Sequence, residues 1–213
     1  MIKLDNLRPH PLISLGLNPD SNIFGTPCQM EQGANYLLLA PSGKGKSTIL
    51  HILYGLRKDF DGEVILDGDS VKGLSPNDIS KIRQSKLSIV FQDLRLFPNL
   101  TSLENIKLNT VWPDSATVEE IREMAQRLGI LELLDQKAET LSYGQRQRVA
   151  IIRALAKPFS YLLLDEPFSH LDEVNTNLAC QLITEKARTN KAGIILASLG
   201  EKFAFEYDRE LAI

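Results

Sequence analysis

An α/β fold with a mostly parallel sheet is what this chain predicts, on three observations. Short runs rich in Leu, Ile and Val alternate with stretches whose apolar residues recur at helical spacing. That alternation marks strands buried on both faces and joined by crossover helices. A glycine-containing loop, Pro41-Ser42-Gly43-Lys44-Gly45-Lys46-Ser47-Thr48, stands between an apolar run and a helical one. Strands gather toward the two ends of the chain, whereas the middle, about 93–157, reads as nearly all helical. A helical segment inserted into an α/β core is the simplest arrangement of that kind.

The elements follow in chain order. Strands are expected at 2–7, 36–40, 63–66, 87–91, 161–165 and 193–198, with Asp67-Gly68 as a tight turn after the third. A helix should open from the glycine loop and run from Gly45 to about Gly55. Thr101-Ser102-Leu103-Glu104 reads as a capping box, in which hydroxyl and carboxylate each satisfy a free backbone N–H at a helix start. A third helix at 118–128 stops at Gly129, and a fourth at 142–156 is closed by Lys157-Pro158. The expected organisation is one domain over 1–213, with an α/β core from 1–92 and 158–213 and a helical subdomain from 93–157. A last strand ends the chain at Ile213, so no regulatory domain is expected after it.

Bulk properties remove several function classes. The 213 residues are 43% apolar and 24% charged, enough to bury a core. A net charge of −3 and a pI near 5.7 argue against a nucleic-acid partner, which needs clustered Lys and Arg. Cys28 and Cys180 lie far apart without metal-ligand companions, so packed thiols are expected and not a disulfide. The start MIKLDNLRPH is no signal peptide, and the longest apolar runs are far too short to span a bilayer. The chain is therefore expected in the cytoplasm unless a partner brings it to a membrane.

The loop at 41–48 is a phosphate loop. Small residues let the N–H groups of Ser42, Gly43, Lys44 and Gly45 curl around an anion, and the following helix adds the positive end of its dipole through Ser47 and Thr48. Lys46 would reach the β- and γ-phosphates of ATP, and Ser47 would offer its hydroxyl to Mg²⁺. Ala40 stands where the strict motif has Gly. Because Ala40 ends a strand, ordinary negative-φ geometry is expected there, at little cost.

The rest of the chain narrows the choice. Leu141-Ser142-Tyr143-Gly144-Gln145, running on as RQRVAIIRALA, resembles the signature motif of ATP-binding cassette (ABC) ATPases. The segment from Tyr161 through Asp165, Glu166 and Pro167 resembles their Walker B strand. Ser169 to Asp172 is similar to the D-loop, and Val90-Phe91-Gln92-Asp93 to the Q-loop. Motif order and spacing match from about residue 2 to residue 212.

The resemblance implies a phosphate-loop core with an antiparallel β subdomain and an inserted helical subdomain. It also implies two cassettes, identical or different, pairing head to tail around two ATP molecules. Each ATP would lie between Lys46 and Ser47 of one subunit and Ser142, Gly144 and Gln145 of the other. The same resemblance makes Glu166 the general base, gives Asp165 and Ser47 the Mg²⁺, and places Gln92 against metal and water.

Three positions depart from the family pattern. Tyr143 replaces the usual Gly inside the signature, and the outer Ser142, Gly144 and Gln145 remain to make the phosphate contacts. Leu199 occupies the place of the switch His and cannot donate a hydrogen bond. Losing one such transition-state bond typically costs about a hundredfold in rate, so slow hydrolysis is expected. For the aromatic residue that stacks on adenine, His10 and Phe24 are both candidates.

As a family member without a membrane span, the chain would serve a separate membrane-spanning subunit at the inner face of the cell membrane. Gln92 to about Asn105 would form the groove for that partner. The segments Ser75 to Ser80 and Gln92 to Thr101 resemble the branch serving lipoprotein release, macrolide export and cell division, with related wording in importers. Two alternatives stand beside transport: a mechanotransmission cassette that carries no solute, and a degenerate ATP-binding module with little turnover.

Overall fold

A computed structural model describes all residues 1–213. Its strands fall into two sheets. β1 (Ile2–Pro9), β2 (Cys28–Met30), β4 (Phe60–Leu66) and β5 (Asp69–Ser70) form an antiparallel sheet in the order β2-β1-β4-β5. The turn between β4 and β5 places Asp67 at φ 51 and Gly68 at φ 100, as a two-residue hairpin turn demands.

The second sheet holds β3 (Tyr36–Leu39), β6 (Leu87–Val90), β7 (Tyr161–Asp165), β8 (Gly193–Ser198) and β9 (Arg209–Ala212), ordered β6-β7-β8-β3-β9. Every neighbouring pair in it is parallel. Side chains alternate between its faces. Leu38, Leu163, Ile195 and Ala197 join the cluster shared with the antiparallel sheet and with α2 (Lys46–Leu53). Leu37, Leu162, Leu164, Ile194 and Leu196 join the cluster on the other face. That face is covered by α5 (Val118–Arg127), α6 (Tyr143–Leu155) and α7 (Glu173–Asn190). Burial of every position of β7 and β8 explains why they read as unbroken apolar runs.

The middle of the chain is less helical than its sequence suggested. It contains α4 (Ser102–Lys107), α5, two single 3₁₀ turns and α6, while 93–101 and 108–117 are loops carrying Pro98 and Pro113. One apolar cluster runs from α5 through α6 into the parallel sheet. α3 (Pro76–Ser85), α4, α5 and α6 each begin with a reciprocal capping box, from Ser75–Asp78, Thr101–Glu104, Thr117–Glu120 and Ser142–Gln145. The short α1 (His10–Ile13), α3 and the longest helix, α7, are not marked by apolar periodicity in the sequence. Cys28 and Cys180 are buried free thiols.

Candidate active site

Parallel register brings the motifs to one edge. Leu39 lies opposite Ser198, Ala197 opposite Asp165, and Leu164 opposite Val90. The chain therefore leaves β3, β6, β7 and β8 at the same carboxyl edge, carrying the phosphate loop, Gln92, Glu166 and Leu199. Crevices at the carboxyl ends of parallel strands are where α/β folds bind ligands.

In the phosphate loop Gly43 takes φ 75 and Gly45 φ 106, conformations that a side chain would strain. Ala40 is absent from the positive-φ residues, so its methyl group is tolerated as expected. α2 starts at Gly45 with no side-chain cap and no acidic residue in its first turn, leaving its N–H groups free for an anion. Lys46 is 5% exposed and its ammonium donates to the carbonyls of Ala40 at 2.8 Å and Pro41 at 3.2 Å.

Three more groups meet the lysine. Glu166 Oε1 lies 3.5 Å from Lys46 Nζ, and Gln92 Nε2 donates to Glu166 Oε2 at 3.3 Å. Glu166 itself sits at φ 47, a strained value for a residue with a side chain. The neighbouring Asp165 is 1% exposed, and its Oδ1 has no hydrogen-bond partner. Burial pushes the Asp165 carboxyl up to about 6, and the Glu166 charge adds to that, while the Ser47 hydroxyl and Lys46 oppose it. Phosphate loop, Ser47, Gln92 and both acids thus form one constellation.

Ser142, Gly144 and Gln145 stand apart from it. The Ser142 hydroxyl accepts from the Gln145 N–H at 3.3 Å, and the Ser142 N–H donates to Gln145 Oε1 at 2.8 Å. These bonds shape the start of α6, and none of the three residues hydrogen-bonds to the phosphate loop. A side chain at Gly144 would come within 2.8 Å of the His170 carbonyl, so glycine there lets α6 approach the D-loop.

Two residues inside the run RQRVAIIRALA belong to this machinery although the sequence reading assigned them no role. Gln147 is 1% exposed; its Nε2 donates to the Glu166 carbonyl at 3.4 Å, and its Oε1 accepts from the His170 N–H at 3.2 Å. Arg153 is buried and donates to the carbonyls of Leu94 and Arg95, just past Gln92. Burial lowers the Arg153 guanidinium to about 10. A charged residue inside the apolar run 149–155 was the available signal for Arg153, whereas Gln147 lies in a polar run that gave none.

The late positions behave less uniformly. Leu199 is 57% exposed and borders an open cleft of about 790 Å³ together with Glu166, Ser169, Lys202 and Phe203. His170 is engaged elsewhere: its Nδ1 lies 2.9 Å from Ser169 Oγ and its ring packs on Tyr143. The two adenine candidates sit in different surroundings. Phe24 is 4% exposed, packed against Gly45 in the core, and His10 is tied to Asp61 at 3.0 Å. The cavity beside Pro41, Gly43 and Lys44 is walled by Leu12, Leu15, Leu17 and one edge of Phe24.

A nucleotide hydrolase built on a phosphate loop is the class that this fold and this edge define. A family model described as ABC transporter matches residues 25–169. The lipoprotein-releasing system ATP-binding protein LolD of Nitrobacter hamburgensis is 33% identical over 192 residues, 89% of this chain and 83% of that one. The molybdate/tungstate import ATP-binding protein WtpC of Pyrococcus horikoshii is 38% identical over 166 residues, covering 76% of this chain and 45% of that one. Among solved structures, the dimeric bacterial ABC transporter cassette MJ0796 superposes with a TM-score of 0.81 at 30% identity, covering 93% of this chain and 88% of that one. Its post-hydrolysis state bound to ADP and Pi gives 0.78 at 28% identity. The chain belongs to the ABC transporter family and is an ATP-binding, ATP-hydrolysing subunit of it.

Proposed function

We propose that the groups at the carboxyl edge divide the hydrolysis of ATP among themselves, and that the chain works as one half of a nucleotide sandwich. The observation that carries this reading is the meeting of Lys46, Gln92 and Glu166 within hydrogen-bond or ion-pair reach at the end of the phosphate loop. Backbone N–H groups of residues 42–48 and the Lys46 ammonium hold the β- and γ-phosphates. Glu166 takes the proton of the attacking water, and Gln92 orients that carboxylate and the water.

Asp165 and Ser47 fit a divalent cation. A carboxylate oxygen that is buried and unpaired, with a serine hydroxyl on the same carboxyl group, is the donor set that a hard cation completes. When bound, Mg²⁺ neutralises phosphate charge. Ser142, Gly144 and Gln145 complete the site of a second subunit, because the start of α6 turns the positive end of its dipole toward that molecule.

Residues 1–92 and 158–213 act as the core and 93–157 as the helical arm that meets a membrane-spanning subunit. Asn105 supports this use of the loop after Gln92, since its side chain bonds the backbone of Phe97, Leu100 and Thr101 and leaves the Phe97 ring 57% exposed. No helix of the chain is long and apolar enough to cross a membrane. We place the chain at the inner face of the cell membrane, in the branch that includes lipoprotein release.

Turnover is slow, because Leu199 has no donor at the switch position and none of the three histidines stands in for it. Phosphate release from purified protein, alone and with its membrane partner, tests this. We expect measurable release and a tenfold or greater gain in Leu199→His, the scale of one restored transition-state hydrogen bond, about tenfold to a hundredfold. Absence of release from the wild type in both settings favours the degenerate binding module. An unchanged rate in Leu199→His means that another group fills the role.

A further inference from the structure

We propose that Tyr143 is a positioning residue that couples the start of the signature helix to the catalytic glutamate of its own subunit. Tyr143 stands where the family pattern has glycine, and two chains of contacts lead from it to Glu166. The Tyr143 hydroxyl donates to the Gln92 carbonyl at 2.8 Å, and the Gln92 side chain donates to the Glu166 carboxylate at 3.3 Å. The Tyr143 ring packs on the His170 ring with centroids 4.0 Å apart. The His170 N–H reaches Gln147, and Gln147 donates to the Glu166 carbonyl at 3.4 Å.

The two routes close a ring around Glu166, one ending on its carboxylate and the other on its backbone. A side-chain-bearing residue at φ 47 keeps that conformation only where its surroundings hold it. Glycine at 143 supplies neither hydroxyl nor ring, so both routes depend on this tyrosine. Arg146, with its guanidinium 5.3 Å from the ring centroid, adds a cation–π contact at the same helix end. The inference rests on the reading above, in which the start of α6 receives the other subunit's ATP. Arrival of that ATP moves α6, and Tyr143 passes the displacement to Gln92 and Glu166. Hydrolysis at one site thereby becomes sensitive to nucleotide at the other.

Tyr143→Phe keeps the ring and removes only the hydroxyl. The expected result is a kcat lowered about threefold to tenfold, the worth of one ordinary hydrogen bond, with KM for ATP unchanged. In a Gln92→Ala background, which keeps the carbonyl but removes the side chain, the same substitution should leave kcat unaltered. Tyr143→Gly, which also strips the ring, should lower kcat further. A silent Tyr143→Phe overturns the proposal, and so does an equal loss in both backgrounds, which marks a contribution to stability alone. The comparison between matched pairs holds even if the substitution lowers Tm. Wild-type turnover that vanishes in Glu166→Gln judges the underlying reading separately, and a wild type without turnover overturns both.

Discussion

Asp165 shows how a residue can be costly to the fold and useful to the site. Its carboxyl has a folded pKa of about 6 against an ordinary 3.8, chiefly because burial disfavours the charge. Below the lower value the group is protonated in folded and unfolded chains alike, and its contribution to stability is fully present. As pH rises through the folded value the buried carboxyl must ionise, and that stability is lost. A shift of about two units corresponds to roughly 3 kcal/mol at most. Asp165→Asn should therefore stabilise the nucleotide-free protein near neutral pH and gain little at pH values below the usual carboxylate range. Urea unfolding at several pH values, without Mg²⁺, measures this. The same variant should lose Mg²⁺-dependent hydrolysis. A variant less stable than wild type near neutrality would contradict the buried, unpaired carboxylate.

α6 is the element that joins the motifs. Its first turn carries the signature, Gln147 supports the Glu166 backbone, and Arg153 in its last turn holds the carbonyls of Leu94 and Arg95. Those two residues take φ 58 and 48, so the loop after Gln92 runs through two consecutive left-handed positions. Arg153→Met keeps much of the packing and removes the donors. The expected cost is about 1–3 kcal/mol, from the buried Leu94 carbonyl and the half-buried Arg95 carbonyl left without partners. Hydrogen exchange should quicken across residues 93–97 before the rest of the chain. Uniform protection in the variant would show that the loop holds its shape without the guanidinium.

At the scale of the whole molecule the prediction concerns a second copy or a sister cassette. On the proposed reading, ATP held at the phosphate loop and completed by the signature of another subunit would stabilise the closed pair, and hydrolysis would release it. Glu166→Gln blocks proton removal from water while preserving shape. It should accumulate an ATP-dependent dimer in gel filtration, absent with ADP or with no nucleotide. A variant that binds ATP and remains monomeric would count against the sandwich. The resemblance to a dimeric cassette at a TM-score of 0.81 makes the required geometry attainable for this chain.

Much of this was legible in the residues themselves. The strands at 161–165 and 193–198, the capping box before α4 and the phosphate loop depend on local periodicity and local hydrogen bonds, which sequence carries directly. α7 was not legible, because its 18 residues mix polar and small side chains and its helical form depends on the sheet face it covers. The antiparallel sheet beside the core came from family resemblance and not from strand pattern, since β2 and β5 span three and two residues. Sequence by itself determined the motifs, their order and the leucine at 199, a side chain without a hydrogen-bond donor. Only tertiary structure decided that Phe24 is almost wholly buried against Gly45, and that Tyr143 reaches Gln92 across a separation of 51 residues. Contacts of that kind depend on how parallel strands align and how α6 lies against them, and no local propensity encodes either.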